Sequence, residues 1–214
     1  MAKAKIIGIA QLKGGSGKTT IATSLASMLP NVGFSLLIDC DPPQYSSDSW
    51  WATRKAKELE EKGDCFTAES EEYLAELIDH NSKNYDWIVL DAPPRGEITT
   101  KLIMKMSDLI IIPVNASMVD VWATYDTEAL VKELKATKKA RLLLNRYRPF
   151  TNSSRAVKKA LKKEIGIDMM RSTLGFRTAY GDALGEGYAV NEWKDRKARK
   201  EMESLEREVK RFFK

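Results

Sequence analysis

The chain has 214 residues, 43% of them hydrophobic and 30% charged, with a net charge of +5. This is enough for one domain with a substantial core and no disulfides, and no stretch approaches the roughly 18 uninterrupted apolar residues of a membrane-spanning helix. Cys40 and Cys65 lack metal-ligand spacing, and the single histidine, His80, sits in a polar helix end and is expected at the surface, which argues against a disulfide scaffold, a zinc centre or histidine-based catalysis.

In chain order, Met1-Ala2-Lys3-Ala4-Lys5 enters a strand over Lys5–Ala10 with no hydrophobic signal region or cleavage site. Leu12-Lys13-Gly14-Gly15-Ser16-Gly17-Lys18-Thr19-Thr20 follows and opens a helix predicted over Lys18–Leu29. A strand that ends in glycines and turns into a helix aims backbone N–H groups and a helix N-terminus at one point, which suits a polyphosphate. Lys18 is expected to reach the terminal phosphates and the Thr19 hydroxyl to ligate Mg²⁺. The usual G-x-x-x-x-G-K-[ST] spacing asks for a glycine where this chain has Leu12, and Lys13 is an additional lysine. A mere glycine-rich turn would need neither lysine.

The next strand, Ser35–Asp39, runs into Asp39-Cys40-Asp41-Pro42. Asp39 has two readings at this stage: it orients water or a Mg²⁺-bound water near the γ-phosphate, or it is a turn former beside a proline. A helix over Ser49–Lys62, a strand over Asp64–Thr67 and a helix over Glu71–Asn81 lead to the apolar strand Trp87–Leu90, which closes on Asp91. In this order after a phosphate loop, Asp91 is expected to bond the Mg²⁺ water shell. A helix over Thr99–Met106, a strand over Leu109–Val114, a helix over Val119–Ala136 and a strand over Ala140–Leu144 precede Asn145-Arg146. The Asn145 amide can pair with a purine edge, or it is a loop asparagine. A helix over Ser153–Ile165, a short strand near Met169–Thr173 and helices over Tyr180–Glu186 and Glu192–Phe213 complete the chain. Strands alternating with helices predict an α/β fold: a three-layer, mostly parallel twisted sheet with helices on both faces, one domain over 1–214.

Charge is unevenly spread. Acids outnumber bases between Asp39 and Asp91, whereas twelve lysines and arginines between Lys132 and Lys163 face only Glu133. The asymmetry points to an anionic partner for the C-terminal half, against the alternative of solvated helix faces. In the Ser153–Ile165 helix, Arg155, Lys158, Lys159 and Lys162 share one face, and Val157, Leu161 and Ile165 form the apolar one. That stripe is expected to bind nucleic-acid phosphates without sequence preference, with Arg177, Lys194, Arg196, Lys197, Arg199 and Lys200 as further candidates.

The segments Lys13–Thr19, Asp39-Cys40-Asp41-Pro42, Tyr85–Asp91, Ile111-Ile112-Pro113-Val114, Asp120-Val121-Trp122 and Leu144-Asn145-Arg146 together resemble the ParA family, the deviant Walker P-loop NTPases that also include MinD. The late stretch Arg177-Thr178-Ala179-Tyr180, with Gly187, Val190 and Glu192, is similar to small ParF-type members without an N-terminal helix-turn-helix. The resemblance implies an Mg²⁺-dependent ATPase with slow intrinsic turnover that forms an ATP-bound sandwich homodimer. Lys13 matches the signature lysine that crosses to the partner's phosphates, and Asp41 matches the aspartate needed for hydrolysis. The implied site comprises Lys13, Lys18 and Asp41 for catalysis; Gly14, Gly15, Ser16, Gly17, Thr19, Thr20, Asn145 and Arg146 as further nucleotide contacts; and Thr19, Asp41 and Asp91 around the metal.

Such dimers are expected to be cytoplasmic and nucleoid-associated. They coat non-specific DNA and position a plasmid, a chromosome or a protein organelle such as a carboxysome, with a ParB-like centromere-binding or cargo-adaptor partner stimulating hydrolysis. The alternative is a MinD-like membrane-associated ATPase. The last helix does carry an apolar stripe (Met202, Leu205, Val209, Phe212, Phe213) beside Arg207, Lys210, Arg211 and Lys214. Glu201, Glu203, Glu206 and Glu208 would repel anionic lipid, so packing on the core is the expected role of that stripe. Relatives built on iron–sulfur clusters need cluster cysteines, and tyrosine kinases of this superfamily need a tyrosine-rich tail; neither is present. A biosynthetic ligase would not explain Lys13 together with the basic stripe. Two positions depart from the family: Pro43 is inserted after Asp41-Pro42, which is expected to shift the loop behind Asp41, and Asn115-Ala116-Ser117 replaces Gln-Pro-Ser. Trp50, Trp51 and Trp122 are expected in core or dimer packing.

Overall fold

The alternation along the first strand decides the architecture. In the computed structural model, which describes residues 3–30, 33–60 and 62–214, strand β1 (Lys5–Ile9) sends Ile6 to one apolar layer and Ile7 and Ile9 to the other, and all three are buried. A strand apolar on both faces belongs at the centre of a covered parallel sheet. The remaining strands are β2 (Ser35–Asp39), β3 (Gly63–Thr67), β4 (Trp87–Asp91), β5 (Leu109–Asn115), β6 (Ala140–Tyr147) and β7 (Met169–Gly175). They pair in the order β3-β2-β4-β1-β5-β6-β7, every pairing parallel.

Helices α3 (Glu71–Asn81), α4 (Glu97–Met106), α5 (Met118–Glu133) and α6 (Asn152–Glu164) cover one face, where Leu74, Ile103, Val121, Leu130, Val157 and Leu161 meet Ile6, Ile38, Leu90 and Ile112. Helices α1 (Lys18–Met28), α2 (Ser46–Ala56), α7 (Ala179–Gly185) and α8 (Arg196–Phe212) cover the other through Ile21, Leu25, Trp50, Ala183, Met202, Leu205 and Val209. Gly8 lets α4 approach β1, because a Cβ there would meet Ser107 Oγ at 2.5 Å and Ile103 Cγ2 at 2.8 Å.

The three-layer α/β sandwich expected from the sequence is therefore present, with shifts at element ends. Helix α2 begins at Ser46 instead of Ser49 and ends at Ala56 instead of Lys62, and Glu58 adopts a left-handed φ of 54° just beyond it. The last helix starts at Arg196, where the Asp195 carboxylate accepts from the Lys197 and Ala198 N–H groups. Val190–Glu192 forms a separate 3₁₀ turn instead of joining that helix.

Met202, Leu205 and Val209 of α8 are fully buried against the sheet, and the Phe213 ring meets Trp87 edge-on at 5.3 Å. Most of the apolar stripe of the last helix is thus core, as its glutamates suggested, while Phe212 stays exposed at its end. Among the described residues no helix is long and apolar enough to cross a membrane. Trp50 is also core and donates through Nε1 to Tyr188 O at 3.1 Å, whereas Trp122 lies exposed on α5.

Candidate nucleotide site

Strand order reverses around β1, whose neighbours are β4 and β5, and crevices outside the carboxyl ends of strands at such points bind ligands. The phosphate loop leaves β1 there. Gly15 and Gly17 have φ of 71° and 97°, and Gly17 forms the left-handed N-cap of α1. A Cβ on Gly17 would also strike Asn145 Nδ2 at 2.4 Å, so both backbone conformation and close approach require glycine. Asn145 is buried at the end of β6. Its Nδ2 donates to Ser16 O at 2.7 Å, and its Oδ1 accepts from Arg146 N at 2.8 Å. Its amide therefore braces the loop and the left-handed turn at Arg146 (φ 49°), a structural task that its position beside a strand end did not reveal.

Lys18 is almost fully buried at the start of α1, and its ammonium lies 3.4 Å from Lys13 O. Burial holds its pKa below the ordinary lysine value, with Asp91 and Asp41 opposing the shift. Asp39 and Asp91 are register partners at the ends of β2 and β4. Burial, and then the neighbouring Asp39, push the Asp91 carboxyl up to about 7, while the nearby Thr19 hydroxyl, the Ser47 hydroxyl and the Lys18 charge act to lower it. Ser47 Oγ donates to Asp91 Oδ2 at 2.9 Å, and Asp91 Oδ1 is buried with no partner. Thr19 and Asp91 thus fit a Mg²⁺ with its water shell, since an orphaned buried carboxylate oxygen beside a hydroxyl is what such an ion would satisfy. Asp41 is partly exposed at the mouth; burial and Asp39 raise its pKa and Lys18 lowers it.

Asp39 itself is occupied. Its Oδ1 accepts from Asp41 N at 3.0 Å, and its Oδ2 from Ser47 N at 2.8 Å and Asp48 N at 3.1 Å. It organises the turn behind Asp41 and the N-terminus of α2, and the water-orienting reading of Asp39 gives way to the structural one. The inserted Pro43 lies in this same turn, which the Asp39 carboxylate spans from Asp41 to Asp48.

Lys13 is in a different situation from Lys18. Its side chain is about one-third exposed, and its ammonium pairs with Asp120 Oδ1 of α5 at 2.8 Å. Asp120 also accepts from Asn115 Nδ2 at 3.2 Å and from the Ser117 hydroxyl. The buried Gln11 supports the loop from beneath: its Nε2 donates to Thr124 Oγ1 at 3.4 Å, and its Oε1 accepts from the Thr127 hydroxyl and from Lys13 N at 3.4 Å. Gln11, Ser47 and Asp120 are supports that the sequence reading did not assign. Gln11 and Asp120 signal themselves only as polar residues in an otherwise apolar setting, and Ser47, inside a polar run, carries no such signal.

Beside Gly17 and Thr20 opens a cavity of about 340 Å³ lined by Asn145, Arg146, Phe176, Arg177, Tyr180 and Gly181 among others. Phe176 is exposed, and the Arg148 guanidinium stacks on its ring 4.0 Å from the centroid. Arg177 forms part of this cavity on the α7 and α8 side of the sheet, where it pairs with Glu201 at 2.7 Å. It therefore stands apart from the α6 stripe with which the sequence reading grouped it. On α6, Arg155, Lys159 and Lys162 are exposed and Lys158 is half-buried over the Tyr147 ring. Among the described residues these four have no carboxylate within ion-pairing distance.

The raised pKa of Asp91 has a measurable consequence in the magnesium-free, nucleotide-free protein. The folded state holds the proton up to about pH 7, whereas an unfolded aspartate releases it near pH 3.9. The group's contribution is therefore most favourable below that lower value and is lost as pH rises through 7. Asp91→Asn is expected to flatten this decline. Urea midpoints at pH 5 and pH 8 check it, and parallel curves for both proteins would contradict the assignment.

The comparisons with known proteins agree with this geometry. The family model described as ATPase MipZ matches residues 5–145. The chain is 30% identical over 193 residues to "Maintenance of carboxysome distribution protein A" of Halothiobacillus neapolitanus, covering 88% of this chain and 87% of that protein. The protein of the same name from Gloeobacter kilaueensis is 26% identical, with 91% and 88% covered. In fold it matches McdA of Cyanothece in an ATP complex (TM-score 0.80, 19% identity, 98% of each chain). It also matches a putative plasmid partition protein of Borrelia burgdorferi bound to AMPPNP (TM-score 0.79, 22% identity, 98% of this chain and 100% of that one). With the loop, the paired strand-end aspartates and these matches in hand, the chain belongs to the MipZ- and McdA-type ATPases of the ParA/MinD deviant Walker family.

Proposed function

We propose that the protein is an Mg²⁺-dependent ATPase that forms an ATP-dependent sandwich homodimer, binds DNA without sequence preference, and positions a cargo, with a cargo-bound partner protein stimulating hydrolysis. The observation that carries this reading is the contrast between the two lysines of one loop. Lys18 is buried in its own subunit's site, while the Lys13 side chain is partly exposed and, among the described residues, ion-pairs only with Asp120 at the loop's outer side. A lysine so placed is available to a second subunit's phosphates. Next to it, α5 exposes Met118, Val119, Trp122 and Tyr125, an apolar patch suited to burial in a dimer. The relatives named for carboxysome distribution favour a protein organelle as the class of cargo.

In this reading the N–H groups of Gly14 to Thr19 and the Lys18 ammonium hold the triphosphate, and the base enters the cavity beside Phe176. Thr19 and Asp91 would hold a Mg²⁺ and its water shell, and the ion would supply neutralising charge to the phosphates. Asp41, at the mouth and partly exposed, positions the attacking water. No strong base is required, because positioning and electrostatics carry phosphoryl transfer, and turnover is slow until a partner completes the site.

Binding to random-sequence duplex DNA, measured with ATP, ADP and no nucleotide, tests the proposal. Binding is expected with ATP alone. Equal binding in all three states would make this a constitutive DNA protein, and none in any state would remove DNA from the cycle.

A further inference from the structure

Helix α8 reaches the nucleotide cavity through one side chain. The Glu201 carboxylate accepts from Gly175 N at 2.8 Å, from Tyr180 Oη at 2.6 Å, and from Arg177 through Nη2 at 2.7 Å and Nε at 3.2 Å. Gly175, Arg177 and Tyr180 all line the cavity beside Gly17 and Thr20, and they come from the end of β7, the following loop and α7. One carboxylate from α8 therefore pins the six-residue passage from β7 into α7 at three points.

We infer that Glu201 is the positioning residue of the base pocket, fixing the Arg177 and Tyr180 walls opposite Asn145 so that the cavity accepts a nucleobase. The inference rests on the reading of this cavity as the base site of the bound nucleotide. Its physical basis is saturation. A carboxylate has about four lone-pair sites, and its contacts fill them. Arg177 Nη2 and Nε both donate to Oε1, while Oε2 accepts from Gly175 N, from Tyr180 Oη and, at 3.3 Å, from Arg177 Nε, so the guanidinium is fixed in orientation as well as distance. Burial works to raise the Glu201 pKa, but Arg177, Tyr180 and the Gly175 N–H outweigh it and hold the group below the ordinary glutamate range. The carboxylate stays charged, and the knot stays tied, at neutral pH.

The same helix supplies its own comparison. One heptad later, Glu208 accepts from Arg171 N at 2.7 Å and Ser172 N at 2.8 Å. Both glutamates thus cover exposed N–H groups of β7, the edge strand of the sheet, but Glu208 touches nothing in the cavity. A purely structural role for Glu201 predicts that the two positions behave alike. A positioning role predicts that they differ, and only towards ligands that carry a base.

The test is calorimetric titration of the full chain with ADP and with pyrophosphate, which lacks the base, for wild type, Glu201→Gln, Tyr180→Phe, Glu208→Gln and Gly181→Leu. Glu201→Gln is expected to weaken ADP binding about 10- to 100-fold, and Tyr180→Phe to weaken it less, both leaving pyrophosphate unchanged. Glu208→Gln is expected to leave both ligands as in wild type. Gly181→Leu fills the cavity from α7, where a Cβ meets nothing within 4 Å, and is expected to weaken ADP alone. Should Gly181→Leu bind ADP normally, the cavity is not the base site and the underlying reading fails. Should Gly181→Leu weaken ADP while Glu201→Gln does not, or should Glu201→Gln weaken both ligands together, the positioning role is overturned and the base site stands.

Discussion

Lys13→Ala is expected to abolish ATP-dependent dimerisation, and with it ATP-dependent DNA binding, while leaving the monomer folded and able to bind nucleotide. The reasoning starts from charge. Two triphosphates brought face to face across a partly dry interface repel strongly, and the proposed dimer contributes one Lys13 from each side. Removing the cation that compensates a buried charge costs about 3–5 kcal/mol, or roughly 10²–10⁴ in the association constant for each lysine. The nucleotide site itself keeps Lys18, Thr19 and the loop N–H groups. The monomer keeps its core, because Lys13 is partly exposed and gives up only a pair with Asp120.

That pair adds a second expectation. In the single subunit Asp120 holds Lys13, so Lys13 has to leave Asp120 before it can reach another subunit's phosphates. Asp120→Asn weakens the hold and is expected to move dimerisation to lower ATP concentrations. Light scattering during gel filtration, with ATP and with ADP, reads both variants. A Lys13→Ala protein that still dimerises with ATP would remove the central support of the proposed cycle.

Much of this site was legible in the chain because its signals are local. The glycines, Lys18 and Thr19 are contiguous, and Asp91 follows an unbroken apolar strand. The supports were not legible because they join residues far apart in sequence. Asp39 caps α2 through Ser47 and Asp48, so that helix starts three residues earlier than its own pattern indicates. Glu192 reads as the start of the last helix, yet its carboxylate pairs at 2.7 Å with the buried Arg54 across 138 residues, and the helix begins instead at the Asp195 cap. Arg177 reads as one more exposed cation until Glu201 of α8 is placed against it. In each case local propensity was overridden by a tertiary charge or hydrogen bond, which a single sequence does not display.

The basic stripe of α6 makes the other large prediction, and its observable is a slope. Arg155, Lys158, Lys159 and Lys162 lie on one face, and none has an acidic partner among the described residues. A dimer presents the stripe twice, so about eight phosphates would be neutralised, and log K should fall with log salt at a slope of about −7. Between 50 and 200 mM salt the affinity of the ATP-bound protein for DNA is then expected to drop about 10³–10⁵-fold. The double variant Lys159→Ala, Lys162→Ala removes four charges per dimer and should bring the slope to about −3.6. Both lysines are exposed, so the variant is expected to fold, and its ATP-driven dimerisation, which depends on Lys13 of the phosphate loop, should be unchanged. DNA affinity measured by fluorescence anisotropy across that salt range separates the possibilities. A wild-type line as steep as expected with a parallel line for the variant would place the DNA on another surface. A flat wild-type line would mean that phosphate contacts do not drive binding at all.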